Sequence, residues 1–357
     1  VNKRGFFARS LDKCSGKWGD GVWGVGCRVW GEQSCLLPIA YCLQKLITVS
    51  CLLTNIIMLN GFSLGENLTG EIAALSAAAL WAVSAAIYSL LGQKIPPLLL
   101  NFLKGVVAIA LIALTLPLSG QWRDINQQSS VFILLTSGAI GIGIGDTAYF
   151  TALNYLGPRK TLLLETLSPP LGAILAATFL GESLKISAYI GIILTIFGVA
   201  WVISEKTLEI NSQRPWRQGI AWALMAAISQ AVGAVLSRQA LVESGMSSLQ
   251  STLLRLLAGT GIVLILMFFR RQESSPPINW SLRLIAIIIV TAFGSTFLGI
   301  WLQQTALKFS PVGIAQTLTA TSPLFVLPIA AMMGDRINLR AIFGVMIALL
   351  GIGILFQ

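Results

Sequence analysis

Two carboxylates stand inside long apolar runs, Asp146 in Gly145-Asp146-Thr147-Ala148-Tyr149 and Glu165 in Leu164-Glu165-Thr166-Leu167-Ser168. They are the only two of fourteen acids placed that way. Tyr149 follows Asp146 by one helical turn and Ser168 follows Glu165 by one turn, so each acid shares a face with a hydroxyl. Acids in such surroundings are costly and mark proton relays, cation sites or substrate pathways. Two blander readings stand beside this one: Glu165 pairs with Lys104, and Asp146 lies near a water-exposed helix end. Lys104 and Arg255 are basic groups inside apolar runs that could neutralise these acids or a substrate carboxylate. Arg238, also in such a run, is expected to snorkel to an interface. Gln230, Gln303 and Gln304 are uncharged groups suited to orienting a ligand. Trp81 and Trp301 serve either packing or a ligand wall.

Other chemistries are closed off by what is missing. The chain has no His, which removes imidazole metal sites, Ser–His and Cys–His catalysis and histidine relays. No metal site and no cofactor is expected. All five Cys (14, 27, 35, 42 and 51) fall in the first 51 residues, so no disulfide ties the later segments together. Gly143-Ile144-Gly145-Asp146 fits the short Gly-x-Gly-Asp pattern of intramembrane aspartyl proteases. That reaction needs a second carboxylate to share the proton, and the preceding span, 97–118, holds no acid. No Gly-Lys-Ser/Thr phosphate loop accompanies the glycines at 138, 141, 143 and 145; they are expected to let a neighbouring helix come close.

The elements that must position these residues follow from composition. Hydrophobic residues make up 55% of the 357-residue chain and charged residues 11%, and mean hydropathy is +0.80. A soluble domain carries about 25% charged residues, so much of this surface must face lipid. The net charge of +10 lies in short connections, the pattern of cytoplasm-facing loops, and nucleic acid is not an expected partner. Runs of roughly 20 apolar residues give expected spans at 70–92, 97–118, 131–153, 160–180 and 186–204. A further set follows at 217–239, 248–269, 282–307, 311–333 and 338–356. Residues 1–57 form an atypical extension with every Cys and three Trp, and Met58 is the expected start. The competing reading is a basic tail with an extra span at 36–59. Residues 205–216 read as a polar linker.

The two sets are copies. Thr151-Ala152-Leu153 answers Thr305-Ala306-Leu307, Pro158 answers Pro311, and Ser168-Pro169-Pro170 answers Thr321-Ser322-Pro323. Gly181-Glu182 answers Gly334-Asp335, and Gly191 and Gly198 answer Gly344 and Gly351. Earlier positions match more loosely, with Gly70 against Gly219 and Asn101 against Arg255. Ile300 answers Asp146 and Gln303 answers Tyr149, so the acids belong to one copy and the site should be chemically asymmetric. Five spans per copy is odd, so the second copy must enter the membrane from the opposite side. The expected fold is an all-α membrane protein of ten transmembrane helices in two inverted five-helix repeats, 70–204 and 217–356, an architecture used for two gates around one central site. Helix breaks are expected near mid-membrane at Pro169-Pro170 and at Pro323 with Pro328. Eleven Lys/Arg residues after spans 1, 3, 5, 7 and 9 against four in the alternate connections place the first group in the cytoplasm.

The duplicated Ser-Pro pattern, followed from Pro170 to Gly181-Glu182 by a Gly-rich last helix, resembles the EamA-type members of the drug/metabolite transporter superfamily. Ala79-Leu80-Trp81 in the first span fits as well. The resemblance covers about 70–356. It implies ten spans, with 1, 3, 4, 6, 8 and 9 around a central cavity and 5 and 10 peripheral. It offers cavity positions at Trp81, Tyr88, Asp146, Tyr149, Glu165, Ser168, Gln230, Gln303 and Thr321, with no universal catalytic residue, and it implies movement of small metabolites, commonly export. It also implies cytoplasmic termini, against the Lys/Arg count. The expected function is a secondary transporter, not an enzyme, working by alternating access as an exporter, with proton coupling through Glu165 or Asp146. The alternatives are a passive facilitator or the protease. Expected partners are a small-molecule substrate and the lipid bilayer, with a homodimer left open. The expected location is the cell membrane, multi-pass, of a prokaryote.

Overall fold

The computed structural model describes residues 66–119, 128–179, 186–203, 215–269, 278–310, 312–332 and 339–355. The extension at 1–57 with its cysteines, the span at 36–59 and most of the linker lie outside the described residues. Everything described is helix or short turn, with no strand. In chain order the helices are α1 Glu66–Leu91, α2 Pro97–Leu118, α3 Gln128–Gly138, α4 Asp146–Glu165, α5 Ser168–Phe179 and α6 Ile186–Ile203. There follow α7 Trp216–Ser244, α8 Ser248–Phe269, α9 Leu282–Ala292, α10 Gly299–Phe309, α11 Val312–Thr319, α12 Ser322–Met332 and α13 Leu339–Leu355. Two π-helical segments, Ala139–Gly145 and Phe293–Leu298, join α3 to α4 and α9 to α10.

Among the described residues, six stretches are long and apolar enough to cross a membrane: Thr69–Leu91, Pro97–Leu118, Gln128–Glu165, Trp216–Ser244, Ser248–Phe269 and Leu282–Phe309. Tyr189–Trp201 and Ile342–Ile354 are shorter apolar helices. Local chemistry sets several ends. Pro96-Pro97 opens α2, where a missing N–H costs nothing. Ser247 and Gln250 form a capping box at the start of α8, each side chain accepting from the other's backbone N–H at 3.2 Å. Gly245, in the left-handed region at φ 62°, closes α7.

The breaks differ in detail from expectation. Gly157, at φ 74° and ψ 171°, kinks α4 just before Pro158. The second break falls at Thr166-Leu167, one turn ahead of the prolines, and the Thr166 hydroxyl donates to the Leu163 carbonyl at 2.6 Å. Pro169 and Pro170 then occupy the first turn of α5, which has no use for their N–H groups. The corresponding region of the other half behaves alike: a turn at Ala320-Thr321 separates α11 from α12, with Pro323 in the first turn of α12.

Packing crosses between the halves. α1 lies against α10, α11 and α12, while α7 lies against α3, α4 and α5. α2 packs on α8 and on the second π segment, and α8 packs on the first π segment. Small residues allow this. Ala73, Ala74, Ala77, Ala78 and Ala82 of α1 and Ala223, Ala226, Ala227 and Ala231 of α7 are fully buried, in keeping with membrane interfaces built on close backbone approach. The glycines before Asp146 serve the same end: a Cβ on Gly138 would stand 2.1 Å from the Arg255 carbonyl, and one on Gly259 2.6 Å from Ile142.

α6 and α13 form a separate pair. A Cβ on Gly198 would meet Gly344 and Ala348 at 2.8 and 2.6 Å, and a Cβ on Gly351 would meet Gly191 and Thr195 at 2.7 and 2.5 Å. Rising numbers on one helix meet falling numbers on the other, so the two run antiparallel. The contacts also exchange: Gly198 touches the counterpart of Gly191, and Gly351 touches Gly191 itself. The outer face of the pair carries exposed Ile190, Ile193, Phe197, Phe343 and Leu350.

Candidate functional site

The π segments place the site. An extra residue in a helical turn rotates everything downstream by about 100°. The first π segment ends where the Asp146 N–H donates to the Gly141 carbonyl, five residues back, and the Gly299 N–H bonds the Gly294 carbonyl likewise. Both helices that follow, α4 and α10, thereby turn polar side chains toward a shared cavity. It measures about 1030 Å³ counted out to its mouth and is lined from both halves.

From the N-terminal half, α1 contributes Trp81 and Tyr88, α2 Lys104, α4 Asp146, Tyr149 and Glu165, and α5 Ser168. From the C-terminal half, α7 contributes Gln230, α8 Arg255 and α10 Gln303. Ten of the sequence-predicted candidates thus converge on one space. Thr321 does not line it: its hydroxyl donates to the Leu318 carbonyl at 2.6 Å within the α11–α12 turn, and the wall there is made by Thr319, Ser322 and Pro323. Arg238 is part-buried and lies outside the lining, donating to the carbonyls of Leu307 and Lys308 at the end of α10.

The charges sort into one closed pair and two open groups. Lys104 Nζ donates to Asp146 Oδ2, with side-chain exposures of 6% and 18%. Lys104 therefore goes to Asp146, not to Glu165, because Asp146 opens α4 beside α2. Its ammonium also sits 4.9 Å from the centre of the Phe150 ring, a distance at which the ring face attracts a cation. Glu165 ends α4 at the helix break, and its Oε1 has no hydrogen-bond partner among the described residues. Arg255 is 2% exposed, and its Nε and Nη1 likewise have none.

One wall is aromatic. Tyr88 packs edge-on against Phe150 with ring centres 4.8 Å apart, and Tyr149 lies 5.6 Å from Phe150. Tyr88 Oη and Ser295 Oγ are 2.8 Å apart, and the Trp81 indole N–H donates to the Ser295 carbonyl at 3.0 Å. These bonds tie α1 to the second π segment. Ser295 and Thr296 were missed in the sequence, as were Thr166 and Gln316. Gln316, an amide inside the apolar run 311–333, carried a visible signal. The hydroxyls did not, because Ser and Thr in membrane helices commonly bond their own backbone. The arrangement offers hydrogen bonds, one ion pair, an open guanidinium and an open carboxyl. Among the described residues there is no group of three or more His, Cys, Asp or Glu that could hold a metal.

Known proteins fit this picture. The model of the EamA-like transporter family matches residues 68–204 and again 217–357. A relative from Bacillus subtilis (strain 168), named Uncharacterized transporter YyaM, is 23% identical over 248 residues, covering 69% of this chain and 79% of its own. A solved crystal structure of a protein superposes with a TM-score of 0.59 at 15% identity, covering 80% of this chain and 95% of that one; that likeness speaks to fold alone.

Proposed function

The chain belongs to the EamA-like transporter family, and from that premise we propose that it is a secondary transporter moving small solutes by alternating access. It is a multi-pass membrane protein, and transport, not catalysis, is what the family and the relative's name point to. The finer reading is ten spans in two inverted five-helix repeats, 70–204 and 217–356, rocking about the cavity. The observation that carries it is a single cavity lined by polar groups from both halves, at the breaks of α4 and of α11–α12. The antiparallel exchange of contacts between α6 and α13 supports the inverted arrangement. Sites of this kind lie at repeat interfaces beside interrupted helices. Export across a prokaryotic plasma membrane is the direction proposed.

Proton coupling is assigned to Glu165, with the Lys104–Asp146 pair as its electrostatic neighbour. The test uses the full chain in proteoliposomes with an internal pH dye and an imposed gradient, with cell-extract metabolite fractions supplied outside. Wild type should acidify or alkalinise the lumen when a transported solute is present, and Glu165→Gln with Asp146→Asn should abolish that response. Unchanged gradient-driven flux in the double variant removes the proton role. Flux indifferent to every ion gradient makes the protein a facilitator.

A further inference from the structure

Among the described residues Arg255 is the one guanidinium lining the cavity, and the surrounding helices are shaped to admit it. A Cβ on Gly141 would stand 3.1 Å from its Nη2 and a Cβ on Gly233 3.4 Å from the same atom. Its counterpart in the other half, Asn101 of α2, spends its amide on the Ile142 carbonyl and the Thr147 hydroxyl, both at 2.9 Å. Arg255 makes no equivalent bonds through Nε or Nη1, which have no partner among the described residues although the side chain is 2% exposed. Asp146, which attracts it electrostatically, is already bonded to Lys104. A guanidinium does not shed its proton in proteins, and a buried charge without a counter-charge is strongly disfavoured. Nε and Nη1 thus stand open to an anion bound in the cavity.

The geometry points to Arg255 as the anion-recognition residue of this cavity, and to small solutes bearing one carboxylate as its substrate class. This inference rests on the transporter reading above. One open cation suits a single negative charge; among the described residues lining the cavity a phosphate dianion would find no second open cation, and it would share the cavity with Glu165. The aromatic wall of Trp81, Tyr88 and Tyr149 receives an apolar body. Glu165, with Oε1 unpartnered, supplies the opposite pole: it faces either an ammonium group on the same solute or a proton carried with it.

The experiment measures binding to the purified full-length chain by isothermal titration, with acids set against their own neutral or monocationic amides. The probes are 3-phenylpropionate and 3-phenylpropionamide, and phenylalanine and phenylalaninamide. Each carboxylate that binds should do so at least about tenfold more tightly than its amide, the scale of a charge-assisted bond. Arg255→Gln should erase that preference and Arg255→Lys should keep part of it. Amides binding as tightly as acids, no acid binding, or a preference that survives Arg255→Gln each overturn the assignment; the wild-type comparison decides even where a variant does not fold. Phenylalanine bound without 3-phenylpropionate gives Glu165 the ammonium; both bound gives it the proton. Counterflow in proteoliposomes separates the two proposals. Acid bound but not moved keeps the anion site and removes the transporter, while flux blind to the carboxylate does the reverse.

Discussion

The Lys104–Asp146 pair is the most exacting contact in the cavity, because Lys104 is buried and meets its counter-charge in the part-buried Asp146. Removing one partner of a buried pair costs about 3–5 kcal/mol, while replacing both is often near neutral. Lys104→Met should therefore lower the thermal unfolding midpoint in detergent markedly, and Lys104→Met with Asp146→Asn should recover much of it. A double variant as unstable as the single one would mean that the loss comes from packing against Phe150. The sequence made the acids conspicuous, since few charged residues stand in apolar runs. It could not say which acid Lys104 would choose. That choice depends on the π segment at 139–145, which rotates Asp146 by an amount that regular 3.6-residue periodicity does not contain. Thr321 misled for a related reason: the turn at 320–321 interrupts the register and hands its place to Ser322.

At the level of elements, breaks matter more than spans. Pro169-Pro170 and Pro323 marked where helices begin again rather than where they stop, Pro328 lies inside α12 without ending it, and Thr166, with its hydroxyl on the Leu163 carbonyl, marks the stop. Prolines are easily read and a backbone-bonding threonine is not, so the expected break sat one turn late. Gly157 does need its residue type: φ 74° with ψ 171° is essentially a glycine-only conformation, costing other residues of order 1–3 kcal/mol. Gly157→Ala should lose about that much, read as a lower unfolding midpoint, and should also alter transport, since the kink sets the direction of the segment carrying Glu165. In the α6–α13 pair, Gly351→Val would push into the Thr195 backbone N at 2.5 Å, and overpacking costs about 1–3 kcal/mol. Here the expected result is lower stability with unchanged solute affinity, because neither helix lines the cavity. An affinity change of tenfold would show that this pair participates in the site.

For the whole molecule, the duplication was legible from proline and glycine spacing alone, and helical character from apolar runs. Which helices touch was not. Contact between α1 and α10–α12, or between α7 and α3–α5, depends on alanine-rich faces that give little contrast in an all-apolar chain. The proposed five spans per half make a topological forecast. Reporters fused after residue 204 and after residue 357 should lie on opposite sides of the bilayer. Finding them on one side would leave an even number of crossings between them and end the inverted arrangement.

The crossing of packing between halves has an outcome for assembly. Neither half keeps its first two helices for itself, so a lone half would leave alanine-lined grooves bare in lipid. Two polypeptides divided within 205–214 and made in the same cell should find each other and restore one working cavity, whereas either fragment made alone should be cleared by quality control. The peptide link between them would then be a convenience of synthesis, with the mutual grip of the fragments supplying what a dimer of separate chains would otherwise provide.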